Sequence, residues 1–267
     1  MRDPRGGRPY NTPSGVDPGA GSMRPPPGEA DDEFSFWQDR SRVFLQPIAA
    51  PSILGLFGLA TATLMVGAWM AAWYGSVLTP LTLFPFVLTA GGLAQFLAGM
   101  WSYRARDGLA TAVHGMWGTF WLAFGLLFVF VPAGAFPAVI GPRVGVADPA
   151  FGMWFVPLCI ITAVCALAAL AENLGMATVL TLLTLGSGFA AAGFFAGSSW
   201  PIRVAGWMFV LAAAAAIYTA AAMMLENSFR RTMLPLGRSR MAERIPVRRG
   251  TRPLEYRYGQ PGVRIGQ

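Results

Sequence analysis

Residues 47–75 read PIAAPSILGLFGLATATLMVGAWMAAWYG, and none of these 29 positions is charged. A helix crosses the hydrocarbon core of a bilayer with about 20 apolar residues, so this stretch is long enough to span. Pro47 and Pro51 stand at its start, where a missing N–H costs a helix nothing because the first turn has no acceptor for it. Gly55 and Gly58 follow as places where a second helix can pack closely, and Thr61 and Thr63 add hydroxyls. The stretch reads either as a wall of a pathway or as an ordinary spanning helix with packing glycines.

Composition extends this to the whole chain. Of 267 residues 54% are hydrophobic and 12% charged, about half the charge of a soluble domain. The expected fold is an all-α integral membrane protein with six transmembrane helices, at roughly 48–73, 79–101, 109–132, 152–172, 176–197 and 201–226. A membrane domain over 43–229 is then flanked by a Pro-, Gly- and acid-rich tail (1–42) and a basic tail (230–267), both expected to be disordered. Residues 227–267 hold ten Arg against two Glu, and every basic residue of the chain is arginine. Arg104 and Arg106 fall on the same side as both tails, while the opposite loops hold Arg143 and Arg203. The positive-inside rule therefore puts both termini in the cytoplasm of a multi-pass cell-membrane protein, with the basic tail near anionic lipid.

The spans are poor in reactive chemistry. Cys159 and Cys165 lie six apart in one apolar run, facing apart on a helix. No metal-ligand cluster, phosphate loop or nucleophile–base set is spaced for catalysis, so no enzyme, cofactor, metal or nucleic-acid partner is expected. Glu172 and Glu226 sit at span ends, which leaves His114 as the one ionisable group inside. It is a candidate for a proton-linked role, as is Glu226; the alternative is a histidine hydrogen-bonded at the interface. Polar candidates along a path are Thr61, Thr63, Gln95, Thr119, Thr184, Ser187 and Tyr218. Without fixed charge in the spans, a permeating solute is small and neutral, or a weak acid that sheds its charge by protonation. Apolar side chains would then form a narrow gate.

Several motifs carry a family resemblance. GGLAQFLAGMWSYRARDG (91–108), GTFW (118–121), AGW (205–207), AIY (216–218) and FRRTMLPLG (229–237) are similar to segments of the acetate uptake transporter family, of the succinate–acetate permease type. The family's N-P-A-P-L-G-L signature corresponds to A-P-S-I-L-G-L at 50–56: Pro51, Leu54, Gly55 and Leu56 are kept, while Ala50 and Ile53 replace its Asn and second Pro. The resemblance implies a six-helix subunit with its own pore, a homohexameric ring, and passage of acetate or related monocarboxylates, in some members succinate, by proton symport or as a channel. It places the central constriction on Leu59, Trp117 and Leu183. It makes Pro51, Leu54, Gly55, Gln95 and Ala216 substrate-binding candidates, and the first-span hydroxyls of Thr61 and Thr63 join them from the reading of the residues themselves. The expected partners are a small carboxylate, protons, the lipid bilayer and further copies of the chain. Two other readings stand beside this one: a channel for a neutral solute such as ammonia, and a non-transporting membrane sensor or scaffold acting through the basic tail.

Overall fold

Helix boundaries follow from proline, glycine and capping residues. The computed structural model describes residues 49–76, 78–130, 149–229 and 231–237, all within one unit, Gln46–Pro253. The two tails expected to be disordered, apart from 231–237, and most of the Val131–Gly152 link lie outside the described residues. Six helices there are long and apolar enough to cross a membrane: α1 (Pro51–Met70), α2 (Thr79–Ala105), α3 (Gly108–Phe130), α4 (Pro149–Ala169), α5 (Leu174–Ala196) and α6 (Ser199–Phe229). They are the six expected segments, with ends differing by four residues or fewer.

α1 begins with Pro51 in its first turn, behind an N-cap, Ala50, that has no side-chain cap. α2 is not uniform. Pro85 lies inside its first section, Thr79–Phe86, and a π-helical section, Val87–Ala94, follows before the α-helix resumes at Gln95. A proline removes one rung of the hydrogen-bond ladder and crowds the preceding turn, and a widened turn is one way to absorb that. Arg106, left-handed at φ 57°, ends α2, and the Asp107 carboxylate accepts from the Ala110 N–H at 2.9 Å to start α3. Asn173 caps α5 by accepting from the Met176 N–H at 2.8 Å.

Each helix packs on its neighbours in the chain, and α1 also packs on α6, so the six close a ring. The α1–α6 seam depends on two glycines. A Cβ on Gly206 would meet the backbone of Gly67, Met70 and Ala71, and one on Gly67 would sit 2.8 Å from the Phe209 Cβ. Large apolar side chains such as Ile160, Val164 and Leu167 of α4 are exposed on the outside, as expected of a surface that meets lipid tails.

At about 46 Å, α6 is longer than a bilayer core requires, and the segment after it folds back on the start of α5. The Gly237 and Leu236 carbonyls accept from the N–H groups of Leu174 and Gly175 at 3.0 and 3.1 Å, satisfying first-turn donors that a helix leaves open. The Tyr218 hydroxyl, expected among the path donors, donates instead to the Pro235 carbonyl at 2.8 Å. Gly237 has φ 60° and Leu236 is buried. The L-P-L-G motif is thus a clamp on α5. Tyr218→Phe should lower stability by about 1 kcal/mol and Gly237→Ala by about 1–2 kcal/mol. Thermal unfolding of the detergent-solubilised protein checks both, and unchanged midpoints would show that the clamp contributes nothing.

Candidate functional site

Three helices that run in the same direction, α1, α3 and α5, supply the centre of the ring. Leu59, Trp117 and Leu183, one from each, are at most 2% exposed and belong to one continuous apolar cluster. Trp117 is held from α4: its indole N–H donates to the Thr162 hydroxyl at 3.1 Å, and Thr162 in turn donates to the Leu158 carbonyl at 2.6 Å. Its ring meets Phe120 and Phe209 edge-on, with centroids 5.6 and 6.2 Å away.

Beyond this level, toward the C-terminal ends of α1, α3 and α5, lies an aromatic chamber. Trp121, Phe124, Phe155, Phe194 and Phe209 are among its walls, with Val66 and Met70 the only non-aromatic ones. Its free volume is about 20 Å³, room for roughly one water. Trp69, Met70 and Phe194 are shared with a wider vestibule of about 520 Å³, which also takes in Trp73, Tyr74, Ser76 and Arg203. The Tyr74 hydroxyl donates to the Met65 carbonyl at 2.7 Å, and partial burial pushes its phenol up, so it stays neutral. Arg203 puts a positive charge at this mouth. The sequence reading placed it in a loop, whereas it lies in the second turn of α6.

The interior also holds polar atoms without a protein partner. Among the described residues these are the hydroxyls of Thr63 and Ser187, both amide atoms of Gln95, both ring nitrogens of His114 and the indole nitrogen of Trp121. Buried polar groups are nearly always hydrogen-bonded, and leaving one unpaired in a membrane interior costs several kcal/mol. The seven atoms lie on α1, α2, α3 and α5, on both sides of the Leu59–Trp117–Leu183 level, and each can take its partner from water or a solute. Gln95 follows the π-section of α2, with its backbone nitrogen 3.6 Å from where a Cβ on Gly58 would be. The His114 ring packs on Gly55, where an added Cβ would come within 2.5 Å of it.

The other sequence candidates spread out. Pro51 is half-buried at the start of α1, and Leu54 is 51% exposed on its outer face. Thr61 spends its hydroxyl on the Phe57 carbonyl at 2.8 Å. Ala216 is fully buried on α6, and Glu226 is half-buried near the end of that helix. Cys159 and Cys165 are free thiols of α4. Sequence reasoning noted Trp121 only within the GTFW motif and missed the chamber; the spacing of Phe120, Phe124 and Phe128 along one face of α3 was the available signal.

Residues 37–236 match the sequence profile of the GPR1/FUN34/yaaH family. The chain belongs to this family. One GPR1/FUN34/yaaH relative is the succinate-acetate/proton symporter SatP of Escherichia coli (strain K12), 27% identical over 194 residues that cover 72% of this chain and 97% of that protein. An uncharacterised protein of Methanothermobacter thermautotrophicus is 28% identical over 190 residues, 70% of this chain and 90% of its own. The solved structure of the bacterial acetate channel SatP superposes with a TM-score of 0.63 at 24% identity, covering 72% of this chain and all of that one, and so shares the fold.

Because Gln95 has no protein partner to lose, Gln95→Met should change unfolding stability by less than about 1 kcal/mol. A loss above about 2 kcal/mol, read from thermal or denaturant unfolding, would mean that the amide is bonded within the protein.

Proposed function

We propose that this protein carries acetate and related small monocarboxylates across the cell membrane. The observation that carries the reading is the set of partnerless polar groups buried within the helix ring, one of which, on Trp121, borders an aromatic chamber, in a member of a family that includes a named succinate-acetate symporter. Arg203 draws the anion into the vestibule. Leu59, Trp117 and Leu183 form the gate, and the Gln95 amide receives the carboxyl group. Ala216, with its small side chain, leaves room on the α6 side of the path.

The proton travels on the substrate. An isolated carboxylate is costly to bury in apolar surroundings, and it avoids that cost by taking up a proton. The apolar gate then passes the neutral acid, and neither His114 nor Glu226 is needed as a carrier. Both termini lie in the cytoplasm with Arg104 and Arg106, so the Arg203 vestibule opens outside. Six subunits assemble in a ring, each with its own path; this part of the proposal rests on family resemblance.

Uptake of labelled acetate, propionate and succinate into proteoliposomes, with and without an inward proton gradient, tests the reading. Saturable uptake of acetate and propionate is expected. It should rise as external pH falls, following a protonated fraction that grows about tenfold per pH unit above the acid's own pKa. No uptake of any acid by folded protein would contradict the proposal and favour a neutral solute or a scaffold role.

A further inference from the structure

The three proposed gate residues share a feature along their helices. Four residues after Leu59 stands Thr63, four after Trp117 stands Trp121, and four after Leu183 stands Ser187. A spacing of four keeps a side chain on the same helix face, one turn along. Since α1, α3 and α5 run in the same direction, all three successors lie on the chamber side of the gate. This is consistent with the chamber walls that come later on the same helices: Val66 on α1, Phe124 on α3 and Phe194 on α5.

All three successors are buried, and each ends in a polar atom with no protein partner. For the two hydroxyls this is unusual within the molecule. In an apolar helix a hydroxyl commonly bonds the carbonyl four residues back. Thr61, Thr119, Thr162, Thr181, Thr184 and Thr219 all do so here, whereas Thr63 and Ser187 do not. Trp121 is also fixed in place. A Cβ on Gly91 would lie 3.1 and 3.2 Å from its Cγ and Cδ1, and would also meet the Cβ of Ala62, next to Thr63 on α1. The pyrrole side of the indole therefore lies where the π-section of α2 meets α1.

We infer that Thr63, Trp121 and Ser187 form a donor ring that receives the carboxyl group of a short monocarboxylic acid one turn before the gate. The inference rests on the transport reading and assigns the group that strips water from the permeant. The indole N–H only donates, while each hydroxyl both donates and accepts. The ring therefore serves the anion, which needs only donors. It also serves the protonated acid, whose O–H needs one acceptor. The hydrocarbon end of the acid lies against apolar and aromatic walls. One such ring accommodates one carboxyl group, so the second carboxyl of a dicarboxylate would stay unpaired among those walls.

The test is the concentration dependence of acetate uptake into proteoliposomes for Thr63→Val, Trp121→Phe and Ser187→Ala, with Thr63→Ser as the conservative control. Each of the first three should raise KM about three- to tenfold, as expected for one lost hydrogen bond, with a smaller change in maximal rate. Thr63→Ser should restore the wild-type KM. Binding of ¹³C-labelled acetate to the detergent-solubilised variants, followed by NMR, should weaken in the same order without requiring sealed vesicles. Saturable wild-type uptake with KM unchanged within twofold in all three variants would overturn the donor ring and leave the transport reading standing. Absence of saturable acetate uptake by the wild type would overturn both.

Discussion

Inside a bilayer no water is available to hydrogen-bond the backbone, so each spanning segment must satisfy its own N–H and C=O groups. The helices of this protein do so almost completely, and the remaining features depend on where that closure is relaxed or completed by other means. The start of α5 is completed from outside, by carbonyls of the L-P-L-G segment. α2 relaxes it at Pro85 and in the π-section that follows, and Gln95 comes directly after that section. The interior thus gains a buried amide where the helix is least regular, in keeping with the tendency of π-turns to mark functional positions.

Closely packed small residues account for the rest of the architecture. Lipid tails are as apolar as leucine, so helices associate in a membrane through close packing and polar contacts. Gly67 and Gly206 let α1 and α6 meet backbone to backbone, and Gly55 gives the His114 ring its place. The interior of the helix ring holds Leu59, Trp117 and Leu183 in one apolar cluster, with an aromatic chamber to one side that shares Trp69, Met70 and Phe194 with an arginine-bearing vestibule. Charge is kept at the mouth, neutral hydrogen-bonding groups lie inside, and Leu59, Trp117 and Leu183 are packed in an apolar cluster. That sequence of environments suits a weak acid, which can be collected as an anion and passed as a neutral molecule.

The six spans were legible because long uncharged runs have few alternatives to a membrane helix, and Pro51 and Asn173 mark helix starts by ordinary capping chemistry. The inward faces were harder to read. The spans are apolar on all sides, so hydrophobic periodicity does not separate the lipid face from the interior face. For this reason Leu54 and Gly55, adjacent in one motif, could not be told apart before the structure put one outside and the other against His114. Tyr218 looked like a path donor because nothing local shows that Pro235 folds back to it. The chamber draws walls from five helices, and their neighbour relations are not written in any single segment. The π-section was likewise hidden, since a lone proline in a span equally signals a simple kink.

The central claim is that the partnerless polar groups at the core are bonded to the permeating acid or the water that accompanies it. A high-resolution structure of the protein in lipid nanodiscs, determined in acetate, tests this most directly. The account predicts ordered density for water or acetate within hydrogen-bonding distance of Thr63, Gln95, Trp121 and Ser187. A dry interior, with the Thr63 and Ser187 hydroxyls turned back onto the Leu59 and Leu183 carbonyls, would contradict it.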